Sequence, residues 1–307
     1  MIKRENMKVA VLMSTYNGEK YIEEQIESII SQKGDFELEL FVRDDGSTDR
    51  TIEILKKYER LGKLHYYKGN NIGPALSFLE LLRNYKEYDF YAFSDQDDYW
   101  KQGKVKEAVE KMEESRKPIL YFSNAEVVNC KLEYLGKKVY KKNPIISIET
   151  LSCAGGILGC TVLINNALAK MIQMYKCPEN VIMHDYYIAE VCLSLGGKII
   201  YDCNSYIKYR QHSDNVVGVT NGKISAIYDR IKKIISKNKI GIDDQAKEIL
   251  KIYGKNIEGK EKKWLEQVAM YKKTTINRIK LSLSRKVKIG SLNSNVTIRL
   301  SILLGNR

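Results

Sequence analysis

The stretch FYAFSDQDDYW, residues 90–100, places three carboxylates on four positions directly after an apolar, aromatic run. The run predicts a buried strand, and Asp95, Asp97 and Asp98 follow at its end. Carboxylates this close together raise one another's pKa and destabilise a fold unless a cation lies among them. A hard divalent cation, Mg²⁺ or Mn²⁺, is the natural partner of such oxygen ligands. The alternative is a solvated acidic turn that caps the next helix.

The chain before residue 125 alternates strand-like apolar runs with helical patterns. This alternation predicts a mostly parallel sheet with helices on both faces, in which ligands bind at the carboxyl ends of the strands. The first strand ends in STYN, the second in RDDGSTD and the fourth in SDQDD, so polar and acidic residues are expected to meet at one edge. The predicted strands are KVAVLMS, LELFVRD, KLHYYKG, YDFYAFS and PILYFSN.

Two common phosphate-binding motifs are absent from the sequence. No GxGxxG follows the first strand, and no GxxxxGK[ST] occurs anywhere in the chain. These absences exclude the usual glycine cradles for dinucleotides and nucleoside triphosphates. A phosphate-bearing ligand at the acidic edge would therefore need a metal.

The net positive charge of the chain comes from its C-terminal part. Residues 221–307 carry 21 Lys and Arg against 7 Asp and Glu, although the net charge of the whole chain is only +13. Residues 1–220 are therefore close to neutral. This asymmetry predicts a catalytic domain over residues 1–220 and a basic, mainly helical region over residues 221–307.

The sequence favours a cytoplasmic protein. No stretch reaches the roughly 18 consecutive apolar residues that a membrane span needs, and the first residues have no long apolar run before a cleavage site. The six cysteines contain no CxxC and lie mostly in apolar segments. They fit a reducing compartment better than disulfides or a zinc site.

Several motifs, in this order and spacing, resemble the family 2 inverting glycosyltransferases of the GT-A fold. The resemblance covers roughly residues 7–220, and it is greatest with bacterial rhamnosyltransferases that build cell-wall and capsular polysaccharides. It implies a Rossmann-like mixed sheet flanked by helices and a sugar transfer from a nucleotide diphosphate donor. The motifs are STYNGEKYIEEQIESI, RDDGSTDRT, SDQDDYW, MHDYYIA and YRQHSDNVVG.

The same resemblance implies a donor site and a metal, Mn²⁺ or Mg²⁺. Asp45 would accept a hydrogen bond from the pyrimidine ring NH, with Asp44 as the neighbouring candidate. Asp95 would lie near the ribose or the donor sugar. The loop that holds the base and ribose would contain Thr15, Tyr16 and Glu19.

The resemblance also implies the remaining roles. Asp97 would be a metal ligand, and His212 would complete the metal site or touch the pyrophosphate. Asp185 would be the general base, and His184 stands where the family usually has an acidic residue. Trp100 and His184 are possible contacts of the acceptor or sugar. The alternatives are purely structural roles: a helix N-cap for Asp185, a polar loop residue for His212 and core packing for Trp100.

The favoured reaction is transfer of L-rhamnose from dTDP-rhamnose to a saccharide acceptor, which is expected to be lipid-linked. Transfer of another hexose from a UDP-sugar is an alternative. A sugar-nucleotide nucleotidyltransferase is another, although it usually carries a glycine-rich basic loop that STYNGEKY does not match. The glycine-rich segment CAGGILGCTVLINN, residues 153–166, fits either a tight backbone near the acceptor or a closely packed strand.

Two basic segments near the C-terminus have apolar stripes at helical spacing. They predict helices that lie on an anionic membrane surface, at the inner face of the plasma membrane. The alternatives are a helical appendage that packs on the catalytic domain and a homo-oligomer contact. Nucleic-acid binding is disfavoured because few aromatic residues accompany the charge. The stripes are Ile224, Ile227, Ile231, Ile234 and Ile235, and then Ile276, Ile279, Leu283 and Val287.

Overall fold

The computed structural model describes residues 7–112, 116–212, 240–290 and 292–307. The described residues form two compact units. The sheet unit lies within Met1–Lys142, Leu158–Cys177 and Gly197–Asn215, and the helical unit lies within Asn143–Ile157, Pro178–Gly196 and Val216–Arg307. The predicted boundary at residue 220 falls outside the described residues. The helical unit joins the C-terminal helices with two segments from the predicted catalytic domain.

The sheet unit contains a nine-stranded mixed sheet, counted over the described residues. All five strands predicted before residue 125 are confirmed. The order across the sheet is β3-β2-β1-β4-β8-β6-β9-β5, and β7 pairs with β6. The strands are β1 Met7–Thr15, β2 Phe36–Asp44, β3 His65–Lys68, β4 Phe90–Ser94, β5 Tyr99–Trp100, β6 Ile119–Val128, β7 Tyr134–Lys138, β8 Leu163–Asn165 and β9 Lys198–Arg210.

The helices follow the predicted amphipathic patterns. Ile22, Ile26 and Ile29 are fully buried and fix the inward face of the first helix. Pro74 opens the third helix at a position where no backbone N–H is needed. The first seven α-helices are α1 Ile22–Ile30, α2 Thr51–Arg60, α3 Pro74–Asn84, α4 Lys104–Lys111, α5 Ile148–Ala154, α6 Asn166–Gln173 and α7 His184–Ser194.

The parallel strands β1, β2 and β4 bring their carboxyl ends to one edge of the sheet. Thr15 pairs with Asp44 at the end of β2, and Met13 pairs with Ser94 at the end of β4. The polar segments that follow these three strands therefore leave the sheet side by side. This is the edge at which the sequence predicted a ligand site.

The helical unit contains α5, α7 and the C-terminal helices. The latter are α8 Ile242–Tyr253, α9 Gly259–Ala269, α10 Thr275–Ser282 and α11 Leu292–Leu303. Among the described residues, every helix is too short or too polar to span a bilayer. The first predicted basic stripe, residues 224–235, lies outside the described residues. In the second stripe, Ile276, Ile279 and Leu283 are exposed, but Val287 is fully buried because it follows the end of α10 and packs inward.

The glycine-rich segment 153–166 forms a strand over only three of its residues. Gly155 ends α5 with φ of 65°, and a Cβ at this position would lie 2.2 Å from the ring of Tyr186. Only Leu163–Asn165 joins the sheet, as β8. The glycine thus allows a close approach between the end of α5 and the first turn of α7 within the helical unit.

Candidate active site

The acidic turn between β4 and β5 is held by the end of β9. Antiparallel pairing sets Tyr99 opposite Lys208 and Trp100 opposite Ile207, so the residues before β5 face the residues after the pair on β9. As a result, a carboxylate oxygen of Asp97 lies 2.7 Å from the Nε2 atom of His212. The two side chains are only 14% and 12% exposed. The structure therefore brings together the two residues that the resemblance assigned to the metal.

Asp98 points into the protein beneath this pair. Its carboxylate accepts a hydrogen bond from the backbone N–H of Arg210 at 3.1 Å and one from the Cys160 thiol. Burial raises the pKa of Asp98 well above its usual range, and the negative charges of Asp97 and Asp95 raise it further. Possible ligand atoms of Asp95, Asp98 and Cys160 all lie within 4.8 Å of one another.

Two cationic side chains of the protein lie buried beside the acidic turn. The ammonium group of Lys104 lies 3.6 Å from the ring centroid of Trp100, and burial lowers the pKa of Lys104 to about 7. The guanidinium of Arg210 donates to the carbonyl of Asp97 at 2.7 Å and to the carboxylate of Glu24 at 2.5 Å. Sequence reasoning missed both residues. Arg210 supplies part of the positive charge that the acidic turn requires, and Lys104 adds to it only in its protonated fraction.

Gln96 joins the acidic turn to the end of β1. Its side-chain oxygen accepts hydrogen bonds from the Thr15 hydroxyl at 2.5 Å and from the Tyr16 backbone N–H at 2.9 Å. Its side-chain nitrogen donates to the Tyr16 carbonyl at 3.0 Å. Three hydrogen bonds from one side chain hold the predicted base-binding loop against the predicted metal-binding turn.

The two acids at the end of β2 have different environments. Both carboxylate oxygens of Asp45 have partners. Arg43 contacts one oxygen at 2.5 Å, and the backbone N–H groups of Ile72 and Gly73 each donate at 2.9 Å. Asp44 is fully buried, and only one of its oxygens accepts hydrogen bonds, from the backbone N–H groups of residues 46 and 47. Its other oxygen has no hydrogen-bond partner among the described residues.

The loop after β1 exposes one aromatic ring. Tyr16 is 48% exposed, whereas Thr15 is buried and its hydroxyl is used by Gln96. The carboxylate of Glu19 accepts a hydrogen bond from the Arg50 backbone N–H at 2.9 Å, and this contact braces the loop before α2. Of the three residues predicted to hold the base and ribose, Tyr16 and Glu19 are exposed enough to contact a ligand directly, and Thr15 is not.

The predicted sugar contact by Trp100 does not agree with the structure. Its side chain is only 1% exposed and belongs to the hydrophobic core of the sheet unit. Lys104 covers the ring. Core packing, the alternative considered for this residue, is what the structure shows.

Asp185 and His184 lie in the first turn of α7 in the helical unit. The N-cap of this helix is Met183, so Asp185 is not the cap, and its carboxylate accepts from the Tyr186 backbone N–H at 2.8 Å. The N-terminal end of a helix favours an ionised carboxylate. The imidazole of His184 is 2% exposed, and burial lowers its pKa to about 3. A neutral ring with so little accessible surface does not suit the predicted acceptor contact of His184.

The donor atoms of the Asp97–His212 pair fit a divalent cation. Two neighbouring ligands of an octahedral cation at about 2.1 Å stand about 3 Å apart, which is close to the 2.7 Å between their ligand atoms. The Asp95–Asp98–Cys160 group fits less well. Burial raises the pKa of the Cys160 thiol, which disfavours the thiolate that a metal would bind.

A comparison with known sequences identifies the family. The profile described as "Glycosyl transferase family 2" matches residues 10–161. The dTDP-rhamnosyl transferase RfbG of Shigella flexneri is 30% identical over 245 residues, which are 73% of this chain and 80% of that protein. The chain belongs to glycosyl transferase family 2. The family predicted from the motifs is thereby confirmed.

Comparisons with a second glycosyltransferase extend the likeness. The poly(ribitol-phosphate) beta-N-acetylglucosaminyltransferase TarS of Staphylococcus aureus is 37% identical over 119 residues, 37% of this chain and 20% of that protein. The crystal structure of S. aureus TarS 1-349 in complex with UDP-GlcNAc superposes with a TM-score of 0.55 at 22% identity, covering 91% of this chain and 77% of that one. The mixed sheet and this likeness confirm the predicted GT-A fold.

Proposed function

We propose that this glycosyltransferase uses a pyrimidine nucleotide diphosphate sugar as its donor, with dTDP-rhamnose favoured, and transfers the sugar with inversion to a saccharide acceptor. The observation that carries the proposal is that two features lie at the same sheet edge. One is Asp44, a buried carboxylate with one oxygen that has no hydrogen-bond partner among the described residues, and the other is the Asp97–His212 pair. The first matches the NH of a base and the second matches a diphosphate with its cation.

The base-binding role belongs to Asp44 rather than Asp45 in this proposal. A buried carboxylate oxygen without a partner is costly, and the ring NH of a base would supply the hydrogen bond that the described residues do not. Because Asp44 is fully buried, the residues that cover this oxygen would have to move when the base binds. Asp45 has no such capacity, since Arg43 and two backbone N–H groups already occupy its oxygens. Thymine and uracil both present a ring NH, so this contact supports either dTDP or UDP.

A divalent cation, Mn²⁺ or Mg²⁺, would be held by Asp97 and His212, with Asp95 nearby. It would neutralise the negative charge of the departing diphosphate. Arg210 and Gln96 fix the backbone and side chains of the acidic turn, so the ligands are already oriented when the donor binds.

The general base in this proposal is Asp185. Inversion requires a group on the face opposite the leaving diphosphate that takes the proton from the acceptor hydroxyl. Its carboxylate accepts a hydrogen bond from the Tyr186 backbone N–H and lies at the start of α7. Both features favour the ionised form that a base needs.

The choice of rhamnose rests on the 30% identity with RfbG over most of both chains. A specific observation favours a second candidate, a UDP-sugar. TarS is 37% identical over 119 residues, and its structure with UDP-GlcNAc shares the fold. The acceptor in the proposal is a lipid-linked saccharide, and the protein acts at the inner face of the plasma membrane. The excess of Lys and Arg after residue 220 supports that location.

A donor panel tests this function. Thermal stability is measured with dTDP, UDP and GDP, each with and without Mn²⁺, and donor turnover is then measured with dTDP-rhamnose, UDP-GlcNAc and GDP-mannose. The expected result is stabilisation by dTDP that requires Mn²⁺, and turnover of dTDP-rhamnose. A preference for UDP with turnover of UDP-GlcNAc would select the second candidate. Preference for GDP, or stabilisation that ignores the metal, would overturn the proposal.

A further inference from the structure

The last two helices expose apolar side chains along one face each. On α10 the exposed residues stand three and four positions apart, and on α11 they follow the same helical spacing. Each helix also has a buried face, formed by Leu281 on α10 and by Ile298 and Ile302 on α11. The helices are therefore already docked on their own unit. We call the exposed set the α10–α11 face: Ile276, Ile279, Leu283, Val296, Leu300, Leu303 and Leu304.

Two contacts show how the last two helices run relative to each other. The Arg299 guanidinium donates to the Ser284 carbonyl at 3.1 Å, and a Cβ at Gly305 would lie 3.1 Å from the Cζ atom of Arg278. These contacts show that the helices run antiparallel.

The chain segment that forms the α10–α11 face carries positive charge and no negative charge. Residues 267–307 contain nine Lys and Arg and no Asp or Glu. Lys286 lies 3.4 Å from Glu149, but the other exposed cations have no ion-pair partner among the described residues. These are Lys273, Lys280, Arg285 and Lys288.

We propose that the α10–α11 face docks on an anionic lipid bilayer. Exposed isoleucine and leucine can enter the acyl boundary while the flanking lysines and arginines reach anionic headgroups. The exposed apolar residues alone would suit any apolar partner. The unpaired cations with no acid among them select a surface of uniform negative charge. This inference deepens the proposed function, because it rests on the proposed membrane location and names the surface that provides it.

Flotation of the full chain with two kinds of vesicle tests the proposal. One kind is phosphatidylcholine alone, and the other contains about a third phosphatidylglycerol. Binding to the anionic vesicles is expected to be at least about tenfold stronger. Leu283→Ser with Leu300→Ser should weaken it by about tenfold or more. Lys280→Glu with Arg285→Glu should weaken it by roughly fivefold for each charge.

Matched variants on the sheet unit serve as controls. Leu61→Ser with Met174→Ser removes two apolar side chains that are 61% and 73% exposed, and Lys56→Glu with Lys63→Glu reverses two exposed charges. Neither pair is expected to change vesicle binding by more than about twofold. All variants should keep the wild-type melting temperature, since the changed side chains are exposed.

Three outcomes would overturn the proposal. The first is equal binding to both vesicle types, or face variants that bind as the wild type does. The second is a dimer that the Leu283→Ser, Leu300→Ser variant converts to a monomer without loss of vesicle binding, which would assign the face to a second copy. The third is binding that Lys232→Glu with Lys233→Glu abolishes while the face variants retain it.

Nucleotide binding separates this inference from the proposed function. Stabilisation by dTDP with Mn²⁺ is measured on the same variants and is expected to be unchanged, because the acidic turn lies in the sheet unit. If no nucleotide stabilised the wild type but the vesicle results held, the proposed donor would be wrong and the docking face would stand. The reverse result would refute the docking face alone.

Discussion

The Nε2 atom of His212 lies 2.7 Å from a carboxylate oxygen of Asp97, although 115 residues separate the two in the chain. The antiparallel pairing of β5 with β9 produces this contact, because it sets the acidic turn against the end of β9. The backbone N–H of Arg210 reinforces it by donating to Asp98. His212 lies two residues beyond the end of β9, and the pairing of β9 with β5 thus places it against the acidic turn.

We expect His212→Ala to lower turnover by about 100-fold or more, because it removes one of two proposed ligands of the cation. Stabilisation by nucleotide should also lose its dependence on Mn²⁺, which a thermal shift assay measures. His65→Ala is the matched control, since His65 is exposed on β3 and contacts Phe41. A variant that kept its response to Mn²⁺ would refute the ligand assignment.

Asp44→Asn and Asp45→Asn should affect different properties, nucleotide binding in the first case and stability in the second. The first should weaken nucleotide binding by about tenfold or more with little change in stability, because it alters the oxygen proposed to accept the base NH. The second should cost about 3 kcal/mol of stability, because it removes a charged partner of buried Arg43. Calorimetric titration with dTDP and urea unfolding distinguish the two. If Asp45→Asn were the weaker binder and remained stable, the assignment would be reversed.

Asp185→Asn should reduce turnover by about a thousandfold while leaving nucleotide affinity within about twofold of the wild type. Asparagine preserves the shape of the side chain and can still accept the hydrogen bond from Tyr186. Only the ability to take a proton is lost. Steady-state kinetics and dTDP titration provide the two readouts, and near-normal turnover would exclude Asp185 as the base.

Stability should fall at alkaline pH through Glu190 in the helical unit. Burial raises the pKa of this carboxyl from 4.5 to about 8, while Gln245 donates to it at 2.7 Å. The folded state therefore holds the proton to higher pH than the unfolded chain does. The resulting contribution is complete below pH 4.5 and is lost as the pH rises through about 8.

Glu190→Gln should remove this part of the pH dependence. At about pH 9 the variant should melt at least about 2 °C above the wild type, and the difference should shrink as the pH falls toward 5. Glu110→Gln, at an exposed position of α4, should show no such pattern. Parallel melting curves for wild type and Glu190→Gln at all pH values would contradict the role of Glu190.

The sequence predicted the sheet well because its signals are local. The apolar runs of β1, β2 and β4 and the helical spacing of Ile22, Ile26 and Ile29 report burial directly. The tail was less predictable. Val287 fits the helical stripe by spacing, yet α10 ends at Ser282 and the chain then turns inward. The stripe on α11 was missed because its apolar residues occur on both faces, and only the packing shows which face is covered.

The candidate site was predictable in its residue types but not in their orientations. Asp44 and Asp45 are adjacent in the chain, and which one presents a free oxygen depends on Arg43 and on the backbone of residues 72 and 73. Burial of Lys104 beside the acids is a property of the fold, and a single lysine in a sequence does not reveal it. Trp100 follows the acidic turn, but β5 directs its ring into the core.

The side chain of Gln96 sets the spacing between the two ends of the donor site. Gln96 belongs to the acidic turn, and its side chain binds both the carbonyl and the N–H of Tyr16. These hydrogen bonds hold the loop after β1 and the acidic turn together. In the proposed donor site, a ligand that spans both parts would bind best. A nucleoside monophosphate would reach only one of the two parts, whereas the nucleoside diphosphate left after sugar transfer would still span both. We therefore expect release of this product to be slow.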